Sequence, residues 1–130
     1  MTRINPPELP RPSGFSHAVV TTGARTVHLA GQTALDASGK IIDGDVVAQF
    51  DQALSNLLTA LAAAGGTPAD LATLTVFLVD VEDYKANAAR IGEVWRTRVG
   101  KHYPAMAAIG ISRLWDVEAL VEVQGTAVLP

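Results

Sequence analysis

Between Asp45 and Ala64, apolar residues fall at positions 46, 47, 50, 53, 54, 57, 58 and 61, one stripe along an α-helix. A helix of this kind has to lay its stripe on another element, which calls for a layered fold. Its other side carries Gln49, Gln52, Ser55, Asn56 and Thr59, polar but almost without charge. Gly65-Gly66 followed by Pro68 ends the helix. Leu71 to Val79 is then a nearly continuous apolar run, the pattern of a strand covered on both faces.

The remaining segments complete an alternating order. Asn5-Pro6-Pro7 through Pro12 is a proline-rich lead-in, extended and poor in regular structure. Phe15 to Thr21 and Thr26 to Gln32 read as an antiparallel hairpin turning at Thr22-Gly23-Ala24, followed by a polar loop from Asp36 to Asp43. Glu82-Asp83 opens a second helix that runs to about Val99, with Tyr84, Ala88, Ile91 and Trp95 on its inner stripe. Arg96, Arg98 and Lys101 stand at its cation-preferring end. Ala105 to Arg113 and Ala119 to Val128 are the last two strands. The order ββαβαββ predicts an α+β fold in a single domain spanning 1–130, with both helices on one face of the sheet. Ala18, Val20, Leu29, Val76 and Ile111 are expected on the uncovered side. An apolar sheet surface of that kind predicts an oligomer with the sheets packed inward.

Composition narrows the function. The chain has no cysteine, which excludes a disulfide scaffold, thiolate metal sites and cysteine nucleophiles, and agrees with a reducing compartment. A net charge of −3 gives no electrostatic basis for binding nucleic acid. Met1 to Pro12 lacks the apolar core of a signal peptide, and no apolar run approaches the roughly twenty residues of a membrane span. A soluble, cytoplasmic protein is expected. His17, His28 and His102 show no metal-ligand spacing, so neither metal nor cofactor is expected. Gly39 and Gly44 lack the Lys-Ser/Thr of a phosphate loop, and Ser16 and Ser112 have no assigned base.

An acid interrupts the apolar strand Leu120-Val121-Glu122-Val123. Burying a carboxylate is costly, so it usually has a partner or a task. Glu122 is therefore the leading catalytic candidate, suited to general acid or base work on bound water. The alternative is a structural carboxylate bonded to backbone amides or to a neighbouring subunit. Asn87, between Tyr84 and Ile91, reads as either a helix-surface residue or a ligand contact. Arg113 reads as a solvated strand-end charge.

Asn5-Pro6, Gly14-Phe15-Ser16-His17-Ala18, Ala30-Gly31-Gln32, Gln52-Ala53-Leu54-Ser55-Asn56-Leu57 and Ala63-Ala64-Gly65 form a series of short segments along the chain. Thr75 to Asp80, Asn87, Tyr103-Pro104-Ala105 and Leu120-Val121-Glu122-Val123 continue it. Taken in order and spacing, these segments resemble the Rid (YjgF-type) family over nearly the full length. The resemblance implies a chorismate-mutase-like fold and a homotrimer with a barrel-like centre, its small-molecule clefts lying at the subunit interfaces. It also implies hydrolysis of enamines and imines released by pyridoxal-phosphate enzymes. In the family an arginine after the Pro-Ala pair holds the substrate carboxylate, and a glutamate near the C-terminus positions water.

Residue by residue, the glutamate corresponds to Glu122 and the helix asparagine to Asn87, but Met106 stands where the arginine should be. Phe15, Ala30 and Ala108 replace the family's site tyrosine, serine and cysteine. Methionine cannot form the bidentate pair that guanidinium offers a carboxylate, so such a cleft is expected to hold a 2-imino acid poorly. Three readings follow: an imine or enamine deaminase with Glu122 on the water, a trimer that binds a small metabolite without turnover, or a scaffold that has lost its site. The older label of ribonuclease gains no support from an acidic chain without a basic or aromatic stripe.

Overall fold

Alternation along two strands decides which side of the sheet the helices take. The computed structural model describes residues 1–130. It contains β1 (Thr2–Ile4), β2 (Ala18–Val20), β3 (Arg25–Gln32), α1 (Val46–Ala63), β4 (Leu71–Leu78), α2 (Val81–Ala86), α3 (Ala88–Arg98), β5 (Ala105–Gly110) and β6 (Val121–Leu129). The main sheet has the order β3-β6-β4-β5, with β4 and β5 parallel and the other pairs antiparallel. The parallel pair needs a crossover, which α2 and α3 supply. This is the expected α+β order, with a short strand added at the start and the second helix in two pieces.

The core lies between α1 and the sheet. Leu74, Val76 and Leu78 of β4, with Val121, Val123, Ala127 and Leu129 of β6, are buried together with Phe50, Leu54, Leu57 and Leu61 of α1. Burying each large apolar side chain contributes roughly 1.5–3 kcal/mol. Ile91 and Trp95 of α3 join the same cluster. The intervening strand residues form cross-strand rows on the face that no helix covers. One row is Ala105, Thr73, Thr126 and His28; the next is Ala107, Thr75 and Gln124; a third is Ile109, Phe77 and Glu122. No helix is long and apolar enough to cross a membrane.

Several expectations need correction. The hairpin does not form: β2 pairs with β1, which lies just ahead of the proline-rich lead-in, and β3 pairs with β6. The nine-residue β6 offers β3 a far longer ladder than the three-residue β2. Gly23 lets the connecting turn press against the end of β6, where an added Cβ would stand 2.5 Å from the Leu129 carbonyl oxygen. Leu29 and Val76 are buried beneath the helices, while Ala18 and Val20 belong to the β1–β2 ribbon. The open face is consequently rich in threonine rather than uniformly apolar, and within the single chain β4 is covered on one side only. β5 ends at Gly110 because β4, its partner, ends at Leu78. Residues 111–120 are a loop, in which Trp115 is 90% exposed.

The second helix breaks at Asn87, whose backbone sits at φ −105°, ψ 19°. Its Nδ2 and its main-chain N–H both donate to the Asp83 carbonyl, a side chain intruding on the helical ladder.

The uncharged polar side of α1 turns out to hold loops. Gln49 is only 3% exposed; its Nε2 donates to the Glu118 carbonyl (3.1 Å) and its Oε1 accepts from the Leu120 amide (2.9 Å). Asn56 donates to the Thr33 and Leu35 carbonyls, both at 3.0 Å. Gln49→Leu leaves a buried N–H and C=O without partners and should destabilise the fold by about 3 kcal/mol. In urea the midpoint should fall while the slope stays unchanged.

Asp45 caps α1 by accepting from the Ala48 amide. That bond, and then the Arg90 guanidinium, hold its carboxyl below the ordinary value of 3.8. The native carboxylate therefore adds stability above that value, and the contribution disappears as pH falls through the lower native pKa. Asp45→Asn keeps the cap acceptor, so acid titration of its denaturation midpoint should fall less steeply than that of the wild type.

Candidate functional site

Glu122 projects from β6 onto the open face, half-buried, in the row with Phe77 and Ile109. Beside it, β3 is irregular between Leu29 and Gln32, a bulge that contains Ala30 and Gly31. A Cβ added at Gly31 would collide with Oε2 of Glu122. The glycine is needed here for close approach of a carboxylate to backbone. No hydrogen bond or ion pair from the chain's own groups holds that carboxylate.

Met106 and Ala108 point the other way. They lie beside Leu74 and Val76 in the parallel ladder and share the face that the helices cover. With Phe15, Tyr84, Trp95 and Tyr103 they line a cleft of 610 Å³ between α2–α3 and β5. Its walls are braced. The Trp95 and Tyr103 rings stack with centroids 6.5 Å apart, and Trp95 Nε1 donates to the His102 carbonyl at 3.0 Å. His102 in turn hydrogen-bonds the Leu71 carbonyl through Nε2, at 2.7 Å. Burial pushes the Tyr84 phenol up, which keeps it a neutral hydroxyl.

Phe15 is not on a strand. It precedes Ser16, which bridges to Ala105 at the sheet edge and donates from Oγ to the Tyr103 carbonyl at 2.6 Å. Ser16 is thus a structural hydroxyl. Asn87 lies outside the cleft lining: its Nδ2 donates to Asp83 and its Oδ1 accepts from Arg90. His17 hydrogen-bonds the Pro10 carbonyl through Nε2 at 2.8 Å. Arg113 bonds the Leu114 and Trp115 carbonyls within its own loop.

The six candidates therefore fall into separate places. Phe15, Met106 and Ala108 meet in the cleft; Glu122 and Ala30 lie on the opposite side of the sheet; Asn87 sits at the helix break. Gly31 and Arg96 were missed as site residues, although Arg96 lines the cleft. No local pattern marks either, because their neighbours come from other elements.

Residues 8–129 match the family described as Endoribonuclease L-PSP. The RutC family protein PH0854 of Pyrococcus horikoshii is 33% identical over 119 residues, covering 91% of this chain and 90% of the relative. A 2-iminobutanoate/2-iminopropanoate deaminase of Capra hircus is 33% identical over 115 residues, 88% of this chain and 79% of the relative. The Rid-family protein YyfB of Yersinia pestis has a solved structure that matches with a TM-score of 0.87 and 39% identity, over 98% of each chain.

The close packing of Gly31 on Glu122 can be measured. Gly31→Ala should displace the carboxylate, and Glu122→Ala should relieve the conflict. A double-mutant cycle in urea should therefore return a coupling of about 1 kcal/mol.

Proposed function

Because the chain belongs to the Endoribonuclease L-PSP family, the YjgF/Rid family, we propose that it hydrolyses small reactive imines or enamines, with Glu122 acting on the water. The observation that carries this reading is the half-buried Glu122 carboxylate, unpaired and set against backbone that Gly31 leaves bare. In that position it takes a proton from water as the oxygen adds to the C=N carbon. The proton passes to the nitrogen, giving a carbinolamine; a second proton then moves from its hydroxyl to the nitrogen as the C–N bond breaks, and the products are a carbonyl compound and ammonia.

Glu122 and the Met106 wall lie on opposite faces of one sheet, so a site that uses both is built from two copies. This supports a homotrimer with small-molecule clefts at its interfaces, in which a neighbour covers the open sheet face. The loop bearing Trp115 and Val117, 90% and 72% exposed, is apolar surface suited to such burial.

A second reading, a trimer that binds a metabolite without turnover, is favoured by Met106 and Ala108, whose side chains offer no charge or donor to a substrate. Imines generated in place by an amino-acid oxidase separate the two. Under the deaminase reading the wild type speeds ammonia release, and Glu122→Gln lowers the rate by about 10²–10⁴-fold with the oligomer mass unchanged. An inactive wild type whose Met106→Arg variant gains turnover would instead support the binding reading.

A further inference from the structure

Three arginines lie along α3, and two of them are committed. Arg90 pairs with Asp45 at 3.0 Å and Arg98 with Asp51 at 2.7 Å, both reaching across to α1. Arg96 has no acidic partner and lines the Met106 cleft. One helical turn earlier, Gly92 lines the same cleft, and Arg96 Nη1 lies 3.4 Å from where a Cβ on Gly92 would stand. The guanidinium thus folds back over a bare stretch of helix towards the cleft. Beneath it the lining is apolar, with Phe50, Val76 and Ile91 deep and Trp95 and Tyr103 as the stacked wall.

A guanidinium with free donors above an apolar, aromatic-walled cleft complements a small acid with a greasy body. Glu93, also on the lining and not ion-paired, makes the mouth a poorer place for a dianion, so a carboxylate suits it better than a phosphate. We propose that this cleft binds monocarboxylates with an aromatic or branched apolar body, and that Arg96 anchors the carboxylate that Met106 cannot hold. The proposal rests on the reading above only in taking the Met106 wall as facing the ligand.

Binding can be read without turnover. The chain has two tryptophans, so in a Trp115→Phe background the fluorescence reports Trp95 in the cleft wall. The probes are 3-phenylpropanoate and its amide, which share shape and differ in charge. The expected result is a saturable change with the acid binding about tenfold tighter than the amide, as a charge-assisted contact warrants. Arg96→Gln should bring the acid down to the level of the amide, and Arg96→Lys should retain part of the preference. Gly92→Leu, a good helix former that fills the cleft, should weaken both probes. Equal affinity for acid and amide, an acid preference that survives Arg96→Gln, or no saturable signal from either probe would each overturn the proposal. Glu122→Gln in the same background keeps the two readings apart. If it abolishes turnover and leaves probe binding unchanged, catalysis and anchoring stand independently. If probes bind as expected while the wild type turns nothing over, the deaminase reading falls alone.

Discussion

The contact between the stripe of α1 and the inward residues of β6 and β4 sets the position of every candidate site residue. With Val121, Val123, Ala127 and Leu129 turned towards Phe50, Leu54, Leu57 and Leu61, alternation sends Glu122, Gln124 and Thr126 to the other face. A slip of one residue would place a carboxylate under the helix and a valine in the open row. The Gln49 amide guards against that slip. It holds the Leu120 amide, one residue before β6 begins, and the Glu118 carbonyl just upstream. A buried side chain of the helix thus fixes where the strand starts, and so where Glu122 stands.

Much of this was legible where one element's own periodicity carries the message. The α1 stripe, the apolar run of β4 and the acid inside β6 are local patterns, and each lies where its spacing places it. Pairing was not legible in the same way. Residues 22–24 look like a hairpin turn, yet β3 has a choice of partners, and β6 gives the longer ladder. β2, left without β3, pairs instead with β1 ahead of the proline-rich lead-in. Asn87 reads as an ordinary helical residue until its amide is seen competing for the Asp83 carbonyl. Gln49 reads as solvent-facing because nothing in its own helix reveals the loop that arrives seventy residues later.

The site divides along the same line. Glu122 could be singled out because a carboxylate among valines is anomalous by itself. Gly31 acquires its meaning only from the neighbouring strand, as the residue that lets the carboxylate approach. Arg96 looked like one more cation at a helix end. What distinguishes it is the placement of aspartates on α1 that engage Arg90 and Arg98 and pass it by.

Moving an anchor from strand to helix changes what a cleft can select. A guanidinium at position 106 would rise from a strand held on both sides of its ladder start, with little freedom to follow a ligand. Arg96 is an exposed side chain on α3, braced by the helix alone, so it can swing to meet carboxylates at different depths. Precision comes from side chains locked by packing, and here those are Trp95 and Tyr103, whose rings stack in the cleft wall. Discrimination among acids should then come mainly from how the body fills the aromatic wall, where each added methylene is worth about 0.8 kcal/mol of burial. The charge selects for an acid, and the wall selects which acid.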